Sequence, residues 1–295
     1  MRRLTILLLI LFMVANLTFA QSTPDTTKRW TLGAITSLTI AQTHLKYWAA
    51  GGENSFAISS LLNAHANYKH NKHSWKNTFE ATYGTQKSGN LEFRKIEDKI
   101  DFSSKYGYKA INKFYYTGLY NFKTQFYDGF EYDENNEATK ISDFLAPAYM
   151  LYSIGIDYLH SDHFNIYTSP ATGKLTIVND EFLSSQSAFG VDSGAIYRNE
   201  VGAYIKFEYQ KEAWKNITIN SKLDLFSNYL HNPQNIDVNF NILVSMKVNK
   251  FLTVNITNDL IYDDDINILV DKETGKKGPR LQVKENIGVG ISFNF

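Results

Sequence analysis

Cysteine is absent from this sequence of 295 residues. Its absence excludes disulfide frameworks, thiol nucleophiles and cysteine-based metal sites, and it also excludes the lipid anchor that some exported proteins carry on a cysteine. A charge surplus is lacking too, because 30 basic residues balance 30 acidic residues. Without a basic surplus, nucleic acid is not an expected partner.

An apolar run near the N-terminus indicates export. Arg2 and Arg3 precede the run at residues 4–14, and a stretch of small residues ends at Ala20. This pattern predicts a secretory signal peptide over residues 1–20. The alternative, an uncleaved membrane anchor, is disfavoured because the run is shorter than the roughly 20 residues that span a bilayer as a helix.

The rest of the chain has no linker rich in proline, glycine or serine, so we expect a short periplasmic segment over residues 21–29 and one domain over 30–295. Mean hydropathy is −0.31, which is too polar for a helical membrane protein. Aromatic residues nevertheless make up 15% of the chain, with 19 Tyr and 20 Phe. A transmembrane β-barrel accommodates both, because its strands show lipid only every second residue and carry aromatic side chains at the membrane interfaces.

Alternation of apolar and polar residues is clearest over residues 281–295, where the period of two predicts a strand with one apolar face. The apolar row holds Leu281, Val283, Ile287, Val289, Ile291, Phe293 and Phe295, with Glu285 as its only charge. The pattern recurs over 236–248 and, less strictly, over 56–68, 75–83, 96–108, 201–209, 217–229 and 251–262. Further strands are expected over 30–43, 114–126, 147–160 and 164–178. The last is interrupted by Pro170, so it is either one strand with a bulge or two short pieces.

These segments exceed the roughly 5–6 residues of an ordinary strand and match the roughly 9–11 that cross a bilayer. Long connections are predicted at 44–54, 85–95, 129–144, 178–195 and 263–280, with short turns between them. Long loops alternating with short turns are typical of outer-membrane barrels. We therefore predict an all-β, antiparallel transmembrane barrel of about twelve strands, although alternation alone does not say which face lies inside.

A resemblance supports this prediction. The chain contains Trp48-Ala49-Ala50-Gly51-Gly52-Glu53-Asn54, then Asn67-Tyr68-Lys69 and Ser74-Trp75-Lys76-Asn77. These segments resemble an uncharacterised family of outer-membrane β-barrel proteins, and the likeness extends over nearly all of the chain after the signal peptide. The resemblance implies a barrel in the outer membrane of a Gram-negative bacterium and no particular activity. The final Phe295, with Phe293 before it, also resembles the signal by which the barrel-assembly machinery recognises its substrates.

Candidate catalytic and metal-binding residues are sparse. His70, His73, His160 and His163 fall in predicted turns without the carboxylate spacing that would support a metal site. His65 with Ser59 or Asn63 is the nearest approach to a lipase-like arrangement. Polar residues are expected on this face of any barrel, so we predict neither an enzyme, nor a metal site, nor a cofactor.

Acidic residues cluster in two predicted outer loops, over 128–137 and at Asp263-Asp264-Asp265. Carboxylates of this kind favour calcium, but neither loop has the ligand spacing of a calcium site. Solvated outer loops are the favoured interpretation.

The segment from Trp48 to Asn54 is the most distinctive, because Gly51 and Gly52 permit an unusual backbone path beside Trp48 and Glu53. One interpretation is a constriction or binding loop in the barrel mouth. A tight connection with Trp48 anchored at the membrane interface is the other, and it is favoured.

Charges on the polar faces are expected to point into the lumen, and both signs are mixed. They are Lys76, Glu80, Glu97, Lys99, Asp101, Lys105, Lys206, Glu208, Lys222, Asp224, Asp237, Lys247 and Lys284. Such charges either line a narrow channel or pair across the interior and plug it. The expected function is a narrow channel or passive conduit for a small solute. A closed barrel that acts through its outer loops, as a structural or a ligand-binding surface protein, is the second hypothesis, and a lipid-modifying enzyme is the third.

Overall fold

The structure, a computed structural model, describes residues 29–47, 49–266, 268–271 and 276–294. Within these ranges the chain forms sixteen β-strands, a short α-helix and one turn of 3-10 helix at Ala188–Gly190. The first eight strands are β1 (Trp30–Thr43), β2 (Ser55–His70), β3 (His73–Ser88), β4 (Arg94–Ile111), β5 (Phe114–Thr124), β6 (Gly129–Tyr132), β7 (Ala138–Ser142) and β8 (Ala148–Leu159). They are followed by β9 (Phe164–Ile177), α1 (Glu181–Ser185), β10 (Tyr197–Trp214), β11 (Ile217–Asn228), β12 (Ile236–Lys247), β13 (Leu252–Tyr262), β14 (Ile268–Asp271), β15 (Lys276–Gly278) and β16 (Gln282–Asn294).

Twelve of these strands close into one antiparallel barrel, in the order β1-β16-β13-β12-β11-β10-β9-β8-β5-β4-β3-β2. The predicted fold and strand count are confirmed. The other four strands form two separate hairpins, β6–β7 and β14–β15. Within the described ranges, no helix is both long enough and apolar enough to span a membrane.

The two ends of the barrel differ. The start of β1, the end of β16 and the short turns that follow β2, β4, β8, β10 and β12 lie at one end, called here the turn end. The longer connections and both hairpins lie at the opposite end, called the loop end. In outer-membrane barrels the short turns face the periplasm.

The apolar face of the wall is the outer one. Leu32, Ile154 and Ile287 point outward and are 71%, 75% and 63% exposed. The opposite face carries polar and charged side chains that contact one another across the interior. A soluble barrel buries its apolar face, whereas this arrangement exposes it to the surroundings. The outer surface is therefore suited to lipid, and the question that alternation left open is settled.

The strand β9 contains an irregularity at the predicted position. Its register with β8 shifts between Ile154 and Ile156, and its register with β10 shifts between Gly202 and Tyr204. Both shifts lie opposite Pro170, which has no N–H to donate to a ladder. Of the two alternatives for this segment, one strand with a bulge is correct.

Three predicted loops are wrong in extent. The connection expected over 85–95 is only 89–93, because β3 runs to Ser88 and β4 begins at Arg94. Those expected over 129–144 and 263–280 contain the hairpins β6–β7 and β14–β15. Strands that project beyond the membrane no longer need an apolar face, so their alternation disappears from the sequence.

The barrel closes where β1 meets β16. The described register pairs Ile35 with Asn294 and Thr39 with Gly290, five pairs in all. On its other edge β1 pairs with β2 over all 14 residues from Trp30 to Thr43. This closing seam is therefore shorter than its neighbour.

Candidate functional site

The lumen is the candidate site, and strand register defines which side chains reach it. Every charged residue expected on a polar face lies on the lumenal side of the wall: Lys76, Glu80, Glu97, Lys99, Asp101, Lys105, Lys206, Glu208, Lys222, Asp224, Asp237, Lys247 and Lys284. Most pair with other residues of the lumen, as described next. Their contribution to selectivity stays a prediction.

The strands β4, β5 and β8 to β11 form one side of the lumen, called here the fixed arc. At its centre Lys105 Nζ lies 3.1 Å from an oxygen of Asp157 and 2.9 Å from Oε2 of Glu208. Asn165 Nδ2 donates to both carboxylates, at 3.1 and 3.0 Å. Lys105 and Asp157 are both buried. Buried charges of this kind need partners, and here each has one or more.

The ion pairs continue toward the loop end through Lys206, whose Nζ lies 3.6 Å from Glu208 and 3.6 Å from Asp224. Tyr204 donates to Asp224 over 2.6 Å. From β5, Lys123 approaches Asp224 at 3.9 Å, although β8, β9 and β10 separate the two strands in the wall. The network therefore bridges the interior instead of following its surface.

Apolar side chains fill the space between these pairs. Leu119, Tyr167, Tyr204 and Phe226 form a buried cluster on the lumenal side, and Leu151 packs against it. Tyr167 is completely buried, and its hydroxyl lies 2.6 Å from Ser153 Oγ. Aromatic packing and ion pairing together make the fixed arc a solid filling rather than a water-filled space.

The remaining strands, β1 to β3, β12, β13 and β16, form the other side of the lumen, called here the open arc. Most of its lumenal residues are half-buried or exposed, and Ile35 is 44% exposed although it points inward. Between its larger and charged residues, the lining has the short side chains or bare backbone of Gly33, Thr39, Ala57, Ser59, Asn239, Asn255, Thr257 and Gly288. Short side chains leave space along this wall that the fixed arc lacks.

One bridge crosses the open arc. Asn286 on β16 donates to the carboxylate of Glu97 on β4, and Lys284 Nζ lies 3.8 Å from the same Glu97 oxygen. The strands β1, β2 and β3 separate the two in the wall. Lys284 is 49% exposed, so this bridge is hydrated, unlike the buried pairs of the fixed arc. It is the described contact that most directly narrows the open arc.

Carboxylates gather where the lumen meets the loop end. Lys174 Nζ lies 2.6 Å from Asp237 and 3.4 Å from both Asp263 and Glu200. Asp263 is buried, so the interpretation of this acidic triple as solvated is wrong for its first residue. Among the described residues, the carboxylates of Asp237, Asp263 and Asp264 approach closely enough to share one cation. Lys174 already supplies positive charge to two of these carboxylates.

Two of the long loops form a small cap at the loop end. Ala146, Val178, Leu183 and Val191 pack into a second buried cluster. Lys140 Nζ joins the loops by contacting Asp143 at 2.5 Å and Asp180 at 2.7 Å. Asp180 also caps α1 by accepting the Leu183 N–H over 2.8 Å. The hydrogen bond from Lys140, and then that from Leu183, lower the pKa of the Asp180 carboxyl group.

The distinctive segment after β1 lies at the rim. Asn54 Oδ1 accepts the Leu45 N–H over 2.6 Å, and Asn54 O accepts the Gly89 N–H over 2.7 Å. Gly51 and Gly52 have φ values of 80° and 115°, which glycine adopts without strain. Glu53, which is exposed, lies beside Gly89 of the β3–β4 loop. Trp48 lies outside the described residues, so its part in a constriction stays a prediction.

The histidines are not gathered into one site. His65 faces the lumen with its ring against Gly33. Ser59 is six residues away on the same strand, about 20 Å at the rise of a β-strand. At the turn end, His73 Nδ1 lies 2.6 Å from the Tyr106 hydroxyl and His163 Nδ1 lies 3.1 Å from Gln210 O. These hydrogen bonds hold the rings on separate turns.

Phe293 of the predicted assembly signal faces outward at the turn end and is 47% exposed. Its ring contacts Phe251 edge-on, with centroids 6.4 Å apart. Phe295 lies outside the described residues. The assembly role of both stays a prediction.

Part of this chain matches a known family model. Residues 40–130 match the model of the family described as Protein of unknown function (DUF3078). The expected resemblance to an uncharacterised family is confirmed, over a shorter stretch than the nearly complete chain that was expected. The DUF3078 match includes β2 to β5 and the Trp48–Asn54 segment. No curated protein matches the sequence.

Solved structures similar to the DUF3078-matching chain are bacterial outer-membrane barrels. The translocator domain of the autotransporter NalP from Neisseria meningitidis is 9% identical, with a TM-score of 0.41, over 100% of this chain and 97% of that one. The NanC porin is 9% identical, with a TM-score of 0.38, over 88% and 98%. An outer membrane channel from Pseudomonas putida F1 is 8% identical, with a TM-score of 0.38, over 94% and 98%.

Proposed function

We propose that this chain is exported to the outer membrane of a Gram-negative bacterium and forms a narrow, passive conduit there. The observation that carries the proposal is the division of the lumen. The fixed arc is filled by buried ion pairs and aromatic rings, whereas the open arc is lined by short polar side chains that solvent reaches. A path along the open arc would be narrow, would pass charges of both signs on β3, β12 and β16, and would suit small hydrophilic solutes.

The absence of native cysteine allows a direct test. Ser59→Cys places one thiol on the open arc, and Ser169→Cys places one at a buried position of the fixed arc. The folded variants are reconstituted into planar bilayers and treated with a membrane-impermeant, charged thiosulfonate. We expect discrete conductance steps that the reagent reduces in Ser59→Cys and leaves unchanged in Ser169→Cys. Silence from inserted, folded protein, or equal modification of both sites, would contradict the conduit.

A closed barrel acting through its outer loops is the second candidate. The cap formed by Ala146, Val178, Leu183 and Val191, with the Lys140 ion pairs, supports it. Folded loops of this kind are able to present a binding surface. If folded protein shows no conductance but residues 178–196 are required for binding to cell-surface material, this candidate replaces the first.

If the folded protein does conduct, a Trp48→Ala variant tests the constriction hypothesis. A larger single-channel conductance in this variant would place Trp48 in the path.

The proposal assigns no catalytic activity to the barrel. The lipase-like arrangement would need His65 within hydrogen-bonding distance of a serine. Its candidate partner Ser59 lies about 20 Å away along β2. Hydrolysis of phospholipid by the purified barrel, lost in His65→Ala, would revive the enzyme hypothesis.

A further inference from the structure

The outer wall carries an apolar groove of about 480 Å³ across β3, β4, β5 and β8. Its lining includes Trp75, Tyr106, Tyr120, Tyr152 and Ile154, with Gly118 at the centre. A Cβ added at Gly118 would meet no atom within 4 Å, so the absence of a side chain at this outward position leaves the floor of the groove open. Trp75 donates its indole N–H to Ser104 over 2.9 Å, which leaves its ring as an apolar wall.

The groove lies near the turn end. Register aligns Trp75 with Tyr106, Tyr106 with Gly118, and Gly118 with Ile154. Trp75 is the third residue of β3, and Tyr120 is the seventh of β5. With a rise of about 3.3 Å per residue and a tilt of about 40°, the groove extends from roughly 5 to 15 Å above the turns. This is the depth of acyl chains in the periplasmic leaflet.

Cationic and hydrogen-bonding groups border the lower edge of the groove. Lys72 Nζ lies 5.9 Å from the ring centroid of Tyr108, which faces outward, so the ammonium group lies on the lipid side of the turn. His73 on β3 and Tyr106 on β4, two of the strands that form the groove, are joined by a hydrogen bond of 2.6 Å between His73 Nδ1 and the Tyr106 hydroxyl. Lys113 donates to His160 O on the next turn at 2.6 Å.

The whole turn end is basic, although the chain as a whole is neutral. Its turns and strand ends hold Arg29, Lys69, Lys72, Lys109, Lys113, Lys211, Lys215, Lys247 and Lys250. Within the described residues, the acidic residues at this end are Asp162, Glu212 and the buried Asp157, which faces the lumen and pairs with Lys105. Of the three turns beneath the groove, those at residues 71–72 and 112–113 contain no acidic residue, and the one at 160–163 contains Asp162. Basic residues next to a membrane attract anionic lipid headgroups.

We infer that this groove binds an anionic phospholipid of the periplasmic leaflet. One acyl chain lies over Gly118 between the aromatic rings, and the phosphate group lies against Lys72 and His73. The groove alone would accept any acyl chain. The lysines provide the preference for a negatively charged headgroup. Burial of the acyl chain and attraction of the headgroup therefore contribute separately to lipid binding.

The test is native mass spectrometry of folded, detergent-solubilised barrel titrated with phosphatidylglycerol or with phosphatidylcholine of identical acyl chains. We expect one phosphatidylglycerol to remain bound and phosphatidylcholine to bind more weakly. Gly118→Leu, which fills the groove, should abolish retention of both lipids. Lys72→Gln should weaken phosphatidylglycerol binding about fivefold and leave phosphatidylcholine binding unchanged.

Two matched variants control for bulk and charge. Ala34→Leu adds the same side chain to the outward face of β1, away from the groove. Lys250→Gln removes another turn lysine that lies over an aromatic ring, that of Phe251 at 4.8 Å, outside the lining of this groove. Both should retain lipid as the unmodified barrel does. Equal retention of the two lipids, or equal loss in the controls and in their test variants, would overturn the inference.

Discussion

Lys105 on β4 and Glu208 on β10 form an ion pair of 2.9 Å across the inside of the barrel. Three strands, β5, β8 and β9, separate them in the wall. Lys105 is 6% exposed. The pair ties opposite sides of the fixed arc together and keeps that half of the lumen closed.

Removal of Lys105 should therefore destabilise the barrel. Lys105→Met leaves two carboxylates, Asp157 and Glu208, buried beside an apolar side chain, and breaking a buried pair in this way costs about 3–5 kcal/mol. The free energy of unfolding in urea, measured in lipid vesicles, checks this value. Lys284→Met is the control, because the half-exposed pair of Lys284 with Glu97 should contribute at most about 1 kcal/mol. Equal losses in the two variants would contradict the division into fixed and open arcs.

Removal of Glu97 should widen the open arc. Glu97→Ala deletes the carboxylate that Asn286 and Lys284 approach from the opposite strand. We expect a larger single-channel conductance in planar bilayers. Glu285→Ala is the matched control. Glu285 lies between Lys284 and Asn286 on β16 but is exposed on the outer face of the wall, so its removal should leave conductance unchanged. A conductance that does not respond to Glu97 would place the narrowest point elsewhere.

Acid should release the cap at the loop end. Hydrogen bonds from Lys140 and from the Leu183 N–H lower the pKa of Asp180 below its value in an unfolded chain, which is about 4. A group with a lowered folded-state pKa stabilises fully above the unfolded value, and this contribution is lost as the pH falls through the folded value. The cap should therefore loosen below about pH 4.

Spin labels on Glu137→Cys and Glu181→Cys, which are exposed on the two capping loops, report this change as a broadened distance distribution. In a Lys140→Met background the distribution should already be broad at pH 6. A distribution that stays narrow at pH 3 would show that the apolar cluster alone holds the loops.

Deletion of Phe295 tests the predicted assembly signal. We expect a smaller fraction of heat-modifiable, folded barrel in the outer-membrane fraction of expressing cells. Phe251→Ala removes an aromatic ring from the same outward surface but not from the chain end, so it should assemble normally. Normal assembly without Phe295 would remove this residue from the signal.

Local pattern was sufficient to predict most of the wall. The predicted strand over 30–43 coincides with β1, and that over 251–262 differs from β13 by one residue. Each membrane-crossing strand must present an apolar side chain at every second position, so lipid imposes a period that is visible in the sequence. Even the β9 bulge was foreseeable from Pro170.

The division of the lumen was not predictable in this way. Lys105 and Glu208 are 103 positions apart in the chain, and Glu97 and Asn286 are 189 apart. Alternation places each of them on a lumenal face but does not specify which will meet, because that depends on closure of the whole ring. Gly288 and Gly290 on the lumenal face of β16 were a signal in the sequence that the open arc leaves space in the lumen.

The short seam between β1 and β16 determines when the barrel is able to close. Its pairs join residues about 250 positions apart, the greatest separation of any strand pairing in the described wall, so they are the least local contacts of the barrel. Until the last strand has been delivered, both edges of the growing sheet expose unpaired N–H and C=O groups. A chain interrupted before Gln282 would therefore retain two open edges and be prone to aggregation, however well its other strands had paired.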